Sequence, residues 1–248
     1  MRTAPSIVRD TPDHHGGTVQ LNQIEDTATT RTALVVLAHP RPDSLTAHIA
    51  RRTAARLTAA GYRIDLLDLH AEEFDPRMTV ADLPEWGNRD KTYSAEVESH
   101  MRRILAADII VAVFPVYWVQ VPAILKGWID RVWNYGFAYG RSKPRLAGKR
   151  ALWLGLAGAA DDDGIVELMR QSLSAQLDDG LAYYCGLTQS SVGLLPGAEE
   201  QQQRLDAEGN LLFDDALGGA EREAHYAALE NRAMGFVNDL LAPDRVPA

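Results

Sequence analysis

Three stretches of this 248-residue chain place chemically capable groups directly after an apolar run. The first is AHPRPDSLTAHIA, residues 38–50. It combines the imidazole of His39 with the hydroxyls of Ser44 and Thr46 and, from Leu45 on, the free amides of a helix start. Such a set suits a phosphate group, through N–H donors and the helix dipole. Neither GxxxxGK[ST] nor GxGxxG is present, so the common nucleotide-binding fingerprints are absent. The same residues also fit a proline-stiffened turn with Ser44 as a plain helix cap. Asp43 would repel a phosphate unless it points away or caps the helix.

The second stretch is Pro115-Val116-Tyr117-Trp118-Val119-Gln120-Val121-Pro122, a turn bracketed by two prolines. A rigid backbone edge with aromatic walls suits a flat, partly apolar ligand. The alternative is that Tyr117 and Trp118 pack under a neighbouring loop. The third runs from Leu156 through Gly158 and Ala159 to Asp161-Asp162-Asp163-Gly164. Its small residues allow close backbone approach to a ligand. The aspartates read as a solvated loop and helix cap.

These stretches need elements to position them. ALVVLA (33–38) reads as a buried strand. Asp43 and Ser44 offer caps for a helix with Leu45, Ile49 and Leu57 on its inner side, which Gly61 ends. Further strands are expected at 62–69, 108–114, 150–157 and 187–195. Helices are expected at 94–106, 122–134, 163–180 and 220–241, the last carrying Ala224, Ala227, Ala228, Phe236 and Leu240. Five strands alternating with helices argue for an α/β fold: a flavodoxin-like, doubly wound, five-stranded parallel sheet with helices on both faces. Ligands of such sheets sit beyond the carboxyl ends of the strands, where all three stretches fall.

Composition narrows the function classes. A formal net charge of -9 argues against nucleic acid as a partner. Cys185 is the only cysteine, so no internal disulfide forms, and its place after Tyr183-Tyr184 reads as buried packing. No apolar run reaches the ~18 residues of a membrane span, and the first residues lack a secretory core, so a cytoplasmic protein is expected. Residues 1–31 show no period that buries a face and are expected to be disordered or surface-lying, with the domain over 32–248. His14 and His15 point apart in regular structure, and no metal site is expected. Asp65 and Asp68 face opposite sides of a strand and make a poor acid–base pair. Ser190 and Ser191 lack a G-x-S-x-G elbow.

LVVLAHPRPDSLTAHI, LLDLHAEEFDPRM and FPVYWVQVPAILKGWIDRVWNYGFAYG together resemble the flavodoxin-like NAD(P)H:quinone oxidoreductases, a superfamily that includes the ancillary flavoproteins of bacterial potassium-efflux systems. The similarity spans residues 33–140. It implies a homodimer with bound FAD, or FMN in shorter relatives, reduced by NAD(P)H and reoxidised by a quinone-like acceptor in the same pocket. By this resemblance His39, Ser44, Leu45 and Thr46 hold the flavin's phosphate side. Pro115, Val116, Tyr117, Trp118 and Val119 lie along its ring, with Gly158 and Ala159 close by. Tyr117, Phe137 and Tyr139 face the acceptor, Tyr139 from the partner subunit. Trp133 packs in the core or faces the partner.

The chain departs from the family at Leu156-Ala157-Gly158-Ala159, where the quinone reductases have Thr-Thr-Gly-Gly. It also lacks the family's downstream Tyr and His, so no catalytic acid carries over. A flavin-binding subunit with little turnover and a specialised biosynthetic flavoenzyme are the alternatives. QQQRLDAEGNLLFDDALGG is expected as a long loop, whose extra length favours FAD.

Overall fold

The computed structural model describes residues 30–161, 164–199, 203–213 and 217–242. The expected extension over 1–31, with His14 and His15, therefore lies outside the described residues except for Thr30 and Arg31. Five strands, β1 (Thr32–Leu37), β2 (Arg63–Asp68), β3 (Ile109–Pro115), β4 (Arg150–Leu156) and β5 (Gln189–Leu195), form one sheet in the order β2-β1-β3-β4-β5. Every pairing within it is parallel. The strand order reverses between β1 and β3, which is the switch point of a doubly wound sheet.

Burial explains which runs became central. TALVVL and IIVAVFP are buried at every position, as strands covered on both faces must be. RIDLLD at the sheet edge is only partly covered, with Leu67 alone fully buried, and its carboxylates serve as anchors. Asp65 receives the guanidinium of Arg103 at 2.7 Å, and Asp68 Oδ1 accepts the amides of His70 and Ala71. Helices α1 (Leu45–Ala59) and α6 (Gly219–Leu241) cover one face, through Ile49 and Leu57 and through Leu229, Ala233 and Val237. Helices α2 (Ala95–Ala106), α3 (Ala123–Val132) and α4 (Gly164–Gln176) cover the other.

Three expectations change, and Trp133 takes the first of its two expected places. Helix 163–180 becomes α4, a π-helical turn at Leu177–Ala182, and the short α5 at Tyr183–Cys185, closed by Gly186 in the left-handed region. The long loop after β5 contains an antiparallel hairpin, β6 (Gln203–Leu205) with β7 (Leu211–Phe213), turned by Asp206, whose carboxylate accepts the amides of Glu208 and Asn210. In α6 the inner stripe falls on Leu229, Ala233, Val237 and Leu240, whereas Ala224, Ala227 and Ala228 are exposed. The larger residues set which face turns inward. Trp133 is core, with its ring 6.0 Å from Trp128 and 5.9 Å from Trp153.

The segment between β2 and α2 is held on α3 by a buried ion pair. Arg131 Nη2 lies 2.8 Å from Asp82 Oδ2, and the Asp82 side chain is 0% exposed. Thr79 Oγ1 and the Ser94 amide donate to the same carboxylate. Burial alone would push the Asp82 carboxyl up, but these donors outweigh it and hold it below the usual carboxylate range. Close backbone contact completes the clamp. A Cβ on Gly127 would sit 2.3 Å from the Pro76 carbonyl oxygen, so no larger residue fits there.

Candidate active site

Strand register brings the three loops together. Val113 pairs with Leu37 and Pro115 with Leu156. Beyond the strand ends, the Ala38 amide donates to Val113 O (3.1 Å) and the Val116 amide to Leu156 O (2.7 Å). The stretches starting at Ala38, Val116 and Ala157 thus leave the sheet side by side at the switch point.

In the first loop Ser44 is the N-cap: its Oγ accepts from the Ala47 amide at 3.1 Å and donates to Arg41 O at 2.8 Å. Its hydroxyl is therefore already in use. The amides of Leu45 and Thr46 take no partner among the described residues, so they are the donors open to an anion. Asp43 does not cap. It forms a two-pronged pair with Arg41 (3.1 and 3.0 Å), which lowers its pKa and sets a positive guanidinium beside its charge. His39 Nδ1 lies 3.0 Å from the Arg41 amide, from which it accepts when unprotonated, and 3.3 Å from Arg41 O, to which it donates when protonated. Burial lowers the His39 pKa against the opposing Arg41 hydrogen bond.

The second loop is strained. Tyr117 and Gln120 exchange both backbone hydrogen bonds at 3.0 Å, which makes a two-residue hairpin turn. The residues at its tip are Trp118 (φ 51°) and Val119 (φ 64°). Such turns favour Asn-Gly, and positive φ in a β-branched residue is a genuine outlier. Trp118 is 97% exposed and Tyr117 is exposed as well. The Trp118 and Val119 amides have no partner among the described residues. A turn that spends strain to project an aromatic and two free N–H groups is the kind found at ligand sites.

The third loop pairs with the chain after β5: Gly197 donates to Ala159 O at 2.7 Å and Ala198 to Ala157 O at 2.8 Å. This brings in a residue the sequence reading missed. A Cβ on Gly158 would lie 2.5 Å from Glu199 Cδ, so the Glu199 carboxylate lies over the glycine. A ligand resting on Gly158 would have to displace that exposed side chain. No local signal marks Glu199, because the contact depends on β5 lying beside β4. Asp161 pairs with Arg232 on α6 at 2.9 Å; Asp162 and Asp163 lie outside the described residues.

Phe137 and Tyr139 sit elsewhere in the single chain. Phe137 is buried in the core, and Tyr139 is half-buried. Tyr139 lines a largely apolar cleft of ≈ 470 Å³ between α3 and the π turn, with Val121, Trp133, Leu177 and Tyr184. Val121 closes the second loop, so this cleft begins where that loop ends. Burial raises the Tyr139 pKa and pushes the Cys185 thiol, at the same cleft, up to about 12.

Free helix-start amides, an Asp43 paired with Arg41 and a rigid aromatic turn with unused N–H groups make a donor set that fits a flavin. The fold and this arrangement define the flavodoxin-like class. The flavodoxin-like fold family matches residues 31–210, and the chain belongs to it, within the NAD(P)H:quinone oxidoreductases. An uncharacterized NAD(P)H oxidoreductase of Escherichia coli K12, YcaK, is 39% identical over 161 residues, covering 65% of this chain and 81% of that protein. The ribosyldihydronicotinamide dehydrogenase [quinone] of mouse is 30% identical over 200 residues, covering 70% and 86%. Among solved structures, general stress protein 14 of Treponema denticola, in complex with FMN, superimposes with a TM-score of 0.54 at 20% identity, covering 84% of this chain and 97% of that one.

Proposed function

We propose that the chain is a flavin-dependent NAD(P)H:acceptor oxidoreductase, moving two electrons as hydride from NAD(P)H to a quinone or related conjugated small molecule. The observation that carries this reading is the strained turn at Trp118-Val119, set at the β1/β3 switch point beside the free amides of Leu45 and Thr46.

When bound, the flavin supplies the hydride-accepting and hydride-donating chemistry. The chain's own residues bind and orient. Leu45 and Thr46 amides, with the imidazole of His39, hold the phosphate side. The backbone from Pro115 to Val119 runs along the ring, where the Trp118 and Val119 amides can satisfy its polar edge and stabilise negative charge developing there. Gly158 and Ala159 give the ring room. Tyr117 and Tyr139 face the acceptor. The Tyr139 hydroxyl, protonated at neutral pH like any phenol, can donate a hydrogen bond to an acceptor oxygen. Phe137 supports Tyr139 from the core.

FAD is favoured over FMN by a groove of ≈ 420 Å³ that continues from Ser44 and Leu45 past His48 and Arg51 to Tyr226 on α6. It offers room beyond the phosphate for an adenosine half. A homodimer is favoured by the aromatic surface a single chain leaves open: Trp118, Tyr183 and Tyr184 are at least 70% exposed.

Cofactor released from purified protein and identified by mass spectrometry tests the binding half, with FAD expected. Stopped-flow mixing with NADPH, then with a quinone, tests turnover: flavin absorbance is expected to bleach and return. Protein that takes up neither FAD nor FMN on reconstitution overturns the reading. Flavin that binds but is not reduced leaves the little-turnover alternative in its place.

A further inference from the structure

A second cleft, ≈ 330 Å³, shares no residue with the loops after β1, β3 and β4. It lies between α2 and the chain around Gly136. Arg89, Lys91, Arg102, Arg141 and Arg145 line it, against two carboxylates, Asp90 and Glu98. Five cations around one small cleft stand out on a chain of net charge -9.

Both carboxylates are engaged. Asp90 Oδ1 accepts from Arg141 Nη2 at 2.6 Å, and Glu98 Oε1 accepts from the Tyr93 amide at 3.0 Å. The hydrogen bond from Arg141, with the positive fields of Arg145 and Arg89 adding to it, lowers the Asp90 pKa.

Two guanidiniums are fixed by backbone oxygens. Arg141 donates through Nε to Gly136 O at 2.5 Å and through Nη2 to Arg89 O at 2.6 Å. Arg89 donates through Nε to Gly140 O at 2.5 Å. Each keeps unused N–H donors in a set orientation, which lowers the ordering cost of capturing an anion. Arg102 and Arg145 have no hydrogen-bond or ion-pair partner among the described residues. Free and anchored guanidiniums around a space of this size match a tetrahedral dianion with a small group attached, because Arg pairs with phosphate through two parallel N–H···O bonds.

We propose that this cleft binds a phosphate monoester. The ligand is either the 2′-phosphate of the dinucleotide donor or a separate phosphorylated small molecule; both present the same terminal dianion. Only the first source rests on the oxidoreductase reading. Phe137 lines this cleft and Tyr139, two residues on, lines the apolar one, so an anion held here braces the turn that carries Tyr139.

Isothermal titration of flavin-loaded protein at low ionic strength with inorganic phosphate, 5′-AMP and 2′-AMP tests the site. Binding of at least one probe is expected, weakening as salt is added. Arg102→Ala/Arg145→Ala should lose about tenfold or more in affinity while melting as the wild type does. A preference for 2′-AMP, with a raised KM for NADPH but not NADH in the variant, identifies the donor's phosphate. Unchanged KM for both, with phosphate binding still lost, identifies a separate ligand. Absence of binding of every probe to the wild type, or equal affinity in the double variant, overturns the site.

Discussion

Replacing Trp118-Val119 by Asn-Gly separates what the turn costs the fold from what it does for a ligand. Both residues hold positive φ in the two-residue turn closed by Tyr117 and Gln120. The left-handed region costs an L residue about 1–2 kcal/mol, so the pair stores about 2–4 kcal/mol. Asn and Gly adopt this turn without that strain. Glycine returns about 0.5–1 kcal/mol through its freer unfolded chain. Half-buried Val119 gives up roughly 0.5–1 kcal/mol of burial, and Trp118, 97% exposed, gives up almost none. The flavin-free double variant should therefore be more stable by about 1–2 kcal/mol. At about 2–4 °C per kcal/mol for a chain of this size, its melting temperature should rise by roughly 2–8 °C. Flavin affinity should move the other way, by about tenfold or more, because the aromatic wall is gone. Differential scanning calorimetry of flavin-free protein and fluorescence titration with FAD read the two effects. A lower melting temperature refutes the strain argument. Unchanged flavin affinity refutes the placing of the ring on this turn.

Asp82→Ala should destabilise the protein by about 3 kcal/mol, since it leaves Arg131 buried beside a vacated partner, and Asp82→Ala/Arg131→Met should recover part of the loss; urea midpoints at pH 7 check both. The Tyr93 hydroxyl donates to Tyr135 O, and burial pushes its pKa up to about 12 from 10.0. Its folded pKa is raised, so its contribution is full below pH 10 and is lost as pH climbs toward 12; Tyr93→Phe should flatten the stability–pH curve in that window. Cys185, buried with a thiol pushed up to about 12, should react with Ellman's reagent at pH 8 only when denaturant is present. Fast modification of the native protein would show the thiol to be reachable and reactive.

The sheet was legible because its central strands are continuous apolar runs of a length only a buried strand explains, and the turn-forming prolines and Ser44 mark where they end. The same local signals exposed the three loops, since order along the chain fixes which strand ends they follow. Side-chain employment was not legible. Asp43 pairs with Arg41 and leaves the cap to Ser44, a choice made by geometry within one turn. Glu199 reaches Gly158 only because β5 lies beside β4. The arginine cleft gathers residues from 89 to 145 that no sequence window contains. The hairpin of β6 and β7 was hidden because its strands are three residues each, too short to show a period. By itself the sequence determined the alternating pattern, and with it the layers and the end of the sheet that carries the loops. The tertiary structure decided the strain at Trp118 and Val119, the partners of each charge and the separation of Phe137 from Tyr139 into two clefts. The strain and the Arg41–Asp43 pair are set by local backbone geometry, and the clefts by segments far apart in the chain; hydrophobic periodicity encodes neither.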